Sequence, residues 1–179
     1  MYAPSDDSYL LADCIRQYNG RRALEIGIGS GLLLSILETN FAYVAGSDID
    51  LRALQHCRQQ TISSNTLLVC CDAGSAFGIG KFDLIVSNPP YLPEDDDDDC
   101  YIIRDPTVYG GPTGIETTVH FINSALPLLA DDGKMLIVIS SFADSGALDN
   151  VVVENKMRKK VVKEKRLFYE TLSIVELSI

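Results

Sequence analysis

Five short, almost wholly apolar runs recur along this chain: RALEIG, YVAGSDI, TLLVCC, FDLIVS and KMLIVIS. Strands without a polar face need cover on both sides, and connections that carry helices make neighbouring strands parallel. Helical spacing appears in SDDSYLLADCIRQY (Ser5 to Tyr18), where Tyr9, Leu10, Cys14, Ile15 and Tyr18 follow candidate capping residues. It appears again in SGLLLSILETN, ending near Asn40, in DLRALQHCRQQ, from Glu116 to about Leu129, and near Ala147 to Lys156. Two extended segments, VVKEKR and ETLSIVELSI, close the chain with only a short turn at Leu167 to Tyr169 between them. A parallel crossover needs about a dozen residues or more, so this pair is antiparallel. The expected architecture is α/β: a seven-stranded, mostly parallel sheet with a C-terminal antiparallel hairpin and helices on both faces.

The 179 residues suit a single domain, 1–179, and 46% hydrophobic against 22% charged residues excludes a disordered chain. No apolar run approaches a membrane span, and MYAPSDDSYLL lacks a basic region followed by an apolar stretch, which predicts a soluble, unexported, cytoplasmic protein. The cysteines Cys14, Cys57, Cys70, Cys71 and Cys100 form no CxxC pair, and His56 and His120 stand alone. Buried free thiols are expected, and no metal site. Net charge is -10, the opposite of what phosphate-backbone binding requires. The balance is uneven: Lys156 to Arg166, KMRKKVVKEKR, holds seven basic residues and one acidic. That run reads either as a solvated helix end and strand surface or as a local patch for an acidic partner or RNA.

LEIGIGSG closes the first strand with Gly27, Gly29 and Gly31. Sites in open parallel sheets lie beyond the carboxyl ends of strands, where glycines let a ligand approach the backbone. The third glycine follows after one residue rather than two, and Glu25 stands immediately before the turn. Its charge would repel a pyrophosphate and attract an ammonium or sulfonium. Asp48, with Asp50, and Asp72 end the next two strands. A carboxylate after the second strand can accept ribose hydroxyls, and one after the third can accept an adenine amine. The set suits S-adenosylmethionine, a cationic nucleoside.

The fourth strand runs into Asn88-Pro89-Pro90-Tyr91. Prolines cannot donate to a ladder, so the strand stops there. A conjugated amino group is planar and a poor nucleophile. An asparagine oxygen and the backbone carbonyl after it can accept its two hydrogens and orient the nitrogen, while a tyrosine offers a flat wall.

LEIGIGSG, SDID, CCDA and SNPPYLP, in this order, resemble the class I S-adenosylmethionine-dependent methyltransferases with an amino-nitrogen target, of Rossmann-like fold. YAPSDDSYLL, GGPTGIE (Gly110 to Glu116) and ETLSIVEL resemble in particular the short archaeal and eukaryotic branch of the HemK/PrmC-like enzymes. The resemblance implies methylation of the glutamine amide in the GGQ loop of a class-1 translation termination (release) factor; the alternative, carried by NPPY alone, is an adenine-specific (N6) DNA or RNA methyltransferase. It implies a cofactor set of Ser8, Glu25, Gly27, Gly29, Gly31, Asp48, Ile49, Asp72, Ala73 and Asn88, with residues 1–20 as a cap over that site. Asn88, Pro89, Pro90 and Tyr91 would form the catalytic amide site.

Members of that branch in eukaryotes work with a small zinc-binding activator subunit. In the usual strand order the third strand is an edge, and here Thr66 to Cys71 carries no charge or proline to blunt it. A heterodimer docked through that edge is the expectation, with no membrane and no nucleic acid as partner. The acidic run Glu94 to Asp99 is either a solvated loop or a charged rim at substrate entry.

Overall fold

The computed structural model describes residues 3–60, 63–78, 82–94 and 105–179. Cys100 and Asp95 to Asp99 of the acidic run lie outside the described residues. The element order is α1 (Asp6–Ile15), β1 (Gly20–Ile26), α2 (Leu32–Asn40), β2 (Phe41–Asp48), α3 (Leu51–Gln59), β3 (Thr66–Cys70), β4 (Phe82–Ser87), α4 (Glu116–Ala125), β5 (Leu129–Ser140), α5 (Ser145–Glu154), β6 (Arg158–Arg166) and β7 (Thr171–Ser178), with a 3₁₀ turn at Leu126–Leu128. The seven strands lie in the order β3-β2-β1-β4-β5-β7-β6. β1 pairs in parallel with both β2 and β4, while β7 runs antiparallel to β5 and β6. This is the Rossmann-like methyltransferase arrangement with its closing hairpin.

Alternation along the strands divides the core in two. Ile85, Met135, Ile137 and Ile139 face α4 and α5, where Ile122, Ala125, Leu148 and Val151 meet them. Leu84, Val86, Leu136 and Val138 face α1 and α2, against Leu11, Ile15, Leu33 and Leu37. Side chains two apart share a face, so each apolar run supplies both layers at once. Among the described residues no helix is long and apolar enough to cross a membrane.

Several boundaries differ from the sequence expectation. The helix from Glu116 gives way at Ala125 to a 3₁₀ turn holding Pro127, whose ring and missing N–H break the α-helical ladder. β5 starts at Leu129, five residues before KMLIVIS, across a register irregularity opposite Phe82 and Leu84. Ser5 precedes α1 without capping it; its hydroxyl donates to Asp7 Oδ1 at 3.3 Å. Cys14 and Cys57 are buried, but Cys70 is exposed and Cys71 only partly covered. Expecting buried thiols throughout fails because β3 is an edge strand, covered on fewer sides.

The basic run starts just past the end of α5 and lies mostly in β6, the strand surface of the expectation, and β6 is the other edge of the sheet. Its lysines reach acids on neighbouring helices, Lys163 to Asp13 at 3.0 Å, Lys165 to Asp6 at 2.9 Å, and Lys159 to Asp149. A charged edge resists strand addition; β3, with Leu67 58% exposed, has no such guard. Truncating Ile137→Ala in the buried centre of β5 is expected to lower the unfolding free energy by about 2–5 kcal/mol. Leu67→Ala at the open edge should change it by no more than about 0.5 kcal/mol. Urea denaturation of both variants checks the contrast; equal costs would contradict this assignment of core and edge.

Candidate active site

The glycine turn begins where β1 ends. Gly27 and Ile28 donate their N–H groups to the Ser47 carbonyl at 2.8 and 3.1 Å, which ties the turn to the end of β2. Gly29 N–H donates to Asp48 Oδ2 at 3.0 Å, and Asp50 N–H to Asp48 Oδ1 at 2.8 Å. Asp48 therefore shapes the turn while each of its oxygens keeps a further lone pair. Asp50 instead caps α3 and pairs with Arg52 at 2.9 Å.

The Asn-Pro-Pro-Tyr segment leaves the neighbouring strand β4 and is held by the backbone that precedes α4. Tyr91 and Leu92 both donate to the Val108 carbonyl, at 3.2 and 3.0 Å, and Gly110 N–H returns a bond to Leu92 O at 2.9 Å. Gly110 and Gly114 allow that approach: a methyl group on either would overlap the Pro90 or Tyr91 carbonyl oxygen. Glu116 closes the same loop, accepting from Thr113 N–H at 3.1 Å and Thr113 Oγ1 at 2.8 Å. GGPTGIE is thus a brace for the loop.

A cavity of about 680 Å³ opens between these two loops. Ser8, Glu25, Gly27, Gly29, Asp48, Ile49, Asp72, Ala73, Asn88, Pro89, Pro90 and Tyr91 all line it. Gly31 is not among the lining residues. It precedes α2 with φ of 80°, and a Cβ there would sit 2.7 Å from Cys57 Sγ, so its glycine serves the helix start and packing.

The first turn of α1 brings Asp7 and Ser8 to the wall. Asp7 is buried, 1% exposed, and accepts from Ser8 N–H at 2.5 Å, from Ser8 Oγ at 3.1 Å and from the Tyr91 hydroxyl at 3.0 Å. Asn88 Nδ2 donates to Ser8 Oγ at 3.3 Å, leaving Asn88 Oδ1 buried and without a hydrogen-bond partner. Glu25 is 2% exposed, and its Oε2 also has none. Burial, reinforced by the Asp48 carboxylate, pushes Glu25 well above the ordinary carboxylate value, offset in part by a hydrogen bond from the Leu34 backbone.

Sequence reasoning missed several of the lining side chains, Asp7, His120 and Glu170 among them. Asp7 read as one of two acids opening a helix, and nothing local separated it from Asp6. His120 Nε2 lies 2.8 Å from Asp72 Oδ1, a pairing across 48 positions that no short motif signals. Glu170, which accepts from Ser140 Oγ at 2.6 Å, comes from the hairpin turn.

The cavity fits a cationic nucleoside. A desolvated carboxylate with one oxygen unpartnered is completed by a positive ligand and made worse by a phosphate. Asp48 at the end of β2 and Asp72 just after β3 both line the cavity.

Known proteins resemble this chain in sequence and in fold. A Methanocaldococcus jannaschii protein provisionally named a protein N5-glutamine methyltransferase is 25% identical over 177 residues, 98% of this chain and 90% of that protein. A release factor glutamine methyltransferase of Deinococcus radiodurans is 29% identical over 136 residues, and the match covers 72% of this chain but only 49% of that protein's length. Among solved structures, one of the E. cuniculi Mtq2–Trm112 complex, described as responsible for methylation of the eRF1 translation termination factor, superposes with a TM-score of 0.78. It is 22% identical and covers 99% of this chain and 97% of the matched one. The model of the family described as "Methyltransferase small domain" matches residues 5–169, and the chain belongs to that family.

Proposed function

We propose that this chain is a protein-(glutamine-N5) methyltransferase that modifies the GGQ glutamine of a class-1 translation termination factor, with S-adenosylmethionine as donor. The observation that carries the reading is Asn88 Oδ1, a buried acceptor without a partner in the wall of a cavity that also holds the desolvated Glu25. The names of the relatives support glutamine over adenine. So does the acidic net charge of -10, which disfavours a nucleic-acid backbone.

When bound, S-adenosylmethionine supplies an electrophilic methyl group on a sulfonium. Glu25 answers the cationic end of that ligand, Asp48 the ribose hydroxyls, and Asp72 with Ala73 the adenine edge. Asn88 Oδ1 and the Pro89 carbonyl accept the two hydrogens of the target amide, which fixes the orientation of the nitrogen toward the methyl donor. Pro89 and Pro90 stiffen that carbonyl's position, and Tyr91, anchored through its hydroxyl to Asp7, presents its ring beside the planar group. No side chain need act as a base, because the proton leaves only after the nitrogen has gained its methyl and become acidic.

The partner follows from the open edge. The E. cuniculi neighbour is a two-subunit complex. A small zinc-binding activator subunit along Thr66 to Cys71 would cover the apolar edge of β3.

Three outcomes test this. With labelled donor and the partner subunit, label is expected in the termination factor and not in DNA, and Asn88→Ala should abolish transfer while retaining cofactor binding by calorimetry. Label in DNA alone would establish the adenine reading instead. Cofactor affinity should fall as pH drops below the raised value of Glu25, because ligand binding must then expel a proton; the Glu25→Gln variant should bind weakly with no such slope. The sign for stability is opposite. The free protein holds the full contribution of Glu25 below its ordinary value near 4.5 and loses it as pH rises through the raised one. Finally, Leu67→Asp should weaken capture of the partner by about tenfold or more; unchanged affinity in a pull-down titration would move the interface elsewhere.

A further inference from the structure

We propose that Asp7 and Ser8 set the orientation of the Asn88 side-chain amide, so that its oxygen is the end left to accept from the target. This rests on reading Asn88 as the acceptor for the target's N–H groups.

The argument is one of hydrogen-bond direction. An Asp7 carboxylate can only accept, and it sits 3.1 Å from the Ser8 hydroxyl. Ser8 has one hydrogen, and Asp7 takes it. What remains on Ser8 Oγ are lone pairs, so the group 3.3 Å away on Asn88 must be a donor. That is Nδ2, and Oδ1 is forced to the other side, buried and without a partner. With the amide turned over, two acceptors would face each other at Ser8 and the nitrogen would lose its partner. Asp7 Oδ2 meanwhile accepts from the Tyr91 hydroxyl at 3.0 Å. One carboxylate therefore fixes both ends of the Asn-Pro-Pro-Tyr segment, one directly and one through Ser8. Asp7 is a positioning residue that acts through Asn88 and Tyr91.

The Asp7→Asn substitution keeps the shape but leaves one accepting oxygen where the carboxylate has two to serve the Ser5 and Ser8 hydroxyls, the Ser8 N–H and the Tyr91 hydroxyl. The Ser8 hydrogen is then free to point at Asn88, and either amide orientation becomes allowed. The Ser8→Ala variant removes the link outright.

In the active enzyme, each of these two variants should lower kcat by about 10- to 100-fold, the scale set by loss of orientation at a reacting group. Their combination should cost no more than about threefold beyond the worse single variant, because both break one chain of contacts. Ser8→Thr, which keeps the hydroxyl, should recover most of the Ser8→Ala loss. Cofactor affinity, measured by calorimetry without the target, should fall by clearly less than kcat in all of them. An independent readout needs no substrate. In protein labelled with ¹⁵N-asparagine, the Asn88 side-chain amide signal, assigned by its absence in Asn88→Ala, should show one exchange-protected hydrogen that loses protection in Asp7→Asn and in Ser8→Ala.

Unchanged protection with unchanged kcat would overturn the proposal, as would losses that multiply in the double variant. A fall in cofactor affinity matching the fall in kcat would also overturn it, assigning these residues to the cofactor alone. Should Asp7→Asn fail to fold, the contrast between Ser8→Ala and Ser8→Thr decides the same question. Failure of the wild type to methylate a termination factor would sink the functional reading while leaving the amide signal and cofactor binding intact, so the two failures are separable.

Discussion

The site depends on one register, Ile26 of β1 beside Ser87 of β4. The buried Ser87 hydroxyl reinforces it, donating to the Ile26 carbonyl at 2.9 Å. From β1 the chain crosses to β2 on one side, while β4 lies on the other, so the connections diverge and a cleft opens above the strand ends. The glycine turn leaves the sheet at one wall of that cleft and Asn-Pro-Pro-Tyr at the other. A slip of one residue in this pairing would turn Ser87 away and move Asn88 to the opposite face. The proposed donor and target sites thus lie at the ends of adjacent strands.

Consecutive prolines make the second wall stiff by subtraction. Pro89 and Pro90 carry no N–H, so the first donors available after Asn88 are those of Tyr91 and Leu92, and both go to one carbonyl, Val108 O. The returning bond from Gly110 and the close backbone contact of Gly114 leave the loop few other positions. Presenting a carbonyl and an amide oxygen to a planar nitrogen requires such a loop, because an acceptor that moves cannot hold an orientation. The bracing comes from a later segment, so GGPTGIE holds the loop without lining the cavity itself.

Most of the fold was legible because its determinants are local. Apolar runs without a polar face, helical spacing between them and a connection too short for a crossover define a parallel sheet with an antiparallel hairpin. The lining residues that sit at strand ends were legible for the same reason. What was not legible depends on contacts distant in sequence. Gly31 looked equivalent to Gly27 and Gly29, but Cys57 packs against it from another helix. His120 and Asp72 meet only once α4 has docked. The basic run read as a helix end passing into a strand surface, and it does form β6; its place at the sheet edge follows from the strand order, which composition does not encode.

Charge at the buried turn, more than glycine spacing, decides what this fold holds. Glycine turns at the end of a first parallel strand serve anionic dinucleotides as well, where helix N-termini and backbone N–H groups meet a pyrophosphate. Here Glu25 occupies that ground, desolvated, with Asp48 close by and one oxygen lacking a partner. A phosphate would face two carboxylates in a medium that screens them poorly, and its binding would be opposed at every contact. A cation relieves the same repulsion and completes the same oxygen, so stability withheld from the free protein becomes selectivity in the complex. The hydrogen bond from Leu34 at the start of α2 fits this logic, since it stabilises the ionised form that only a positive ligand can fully satisfy.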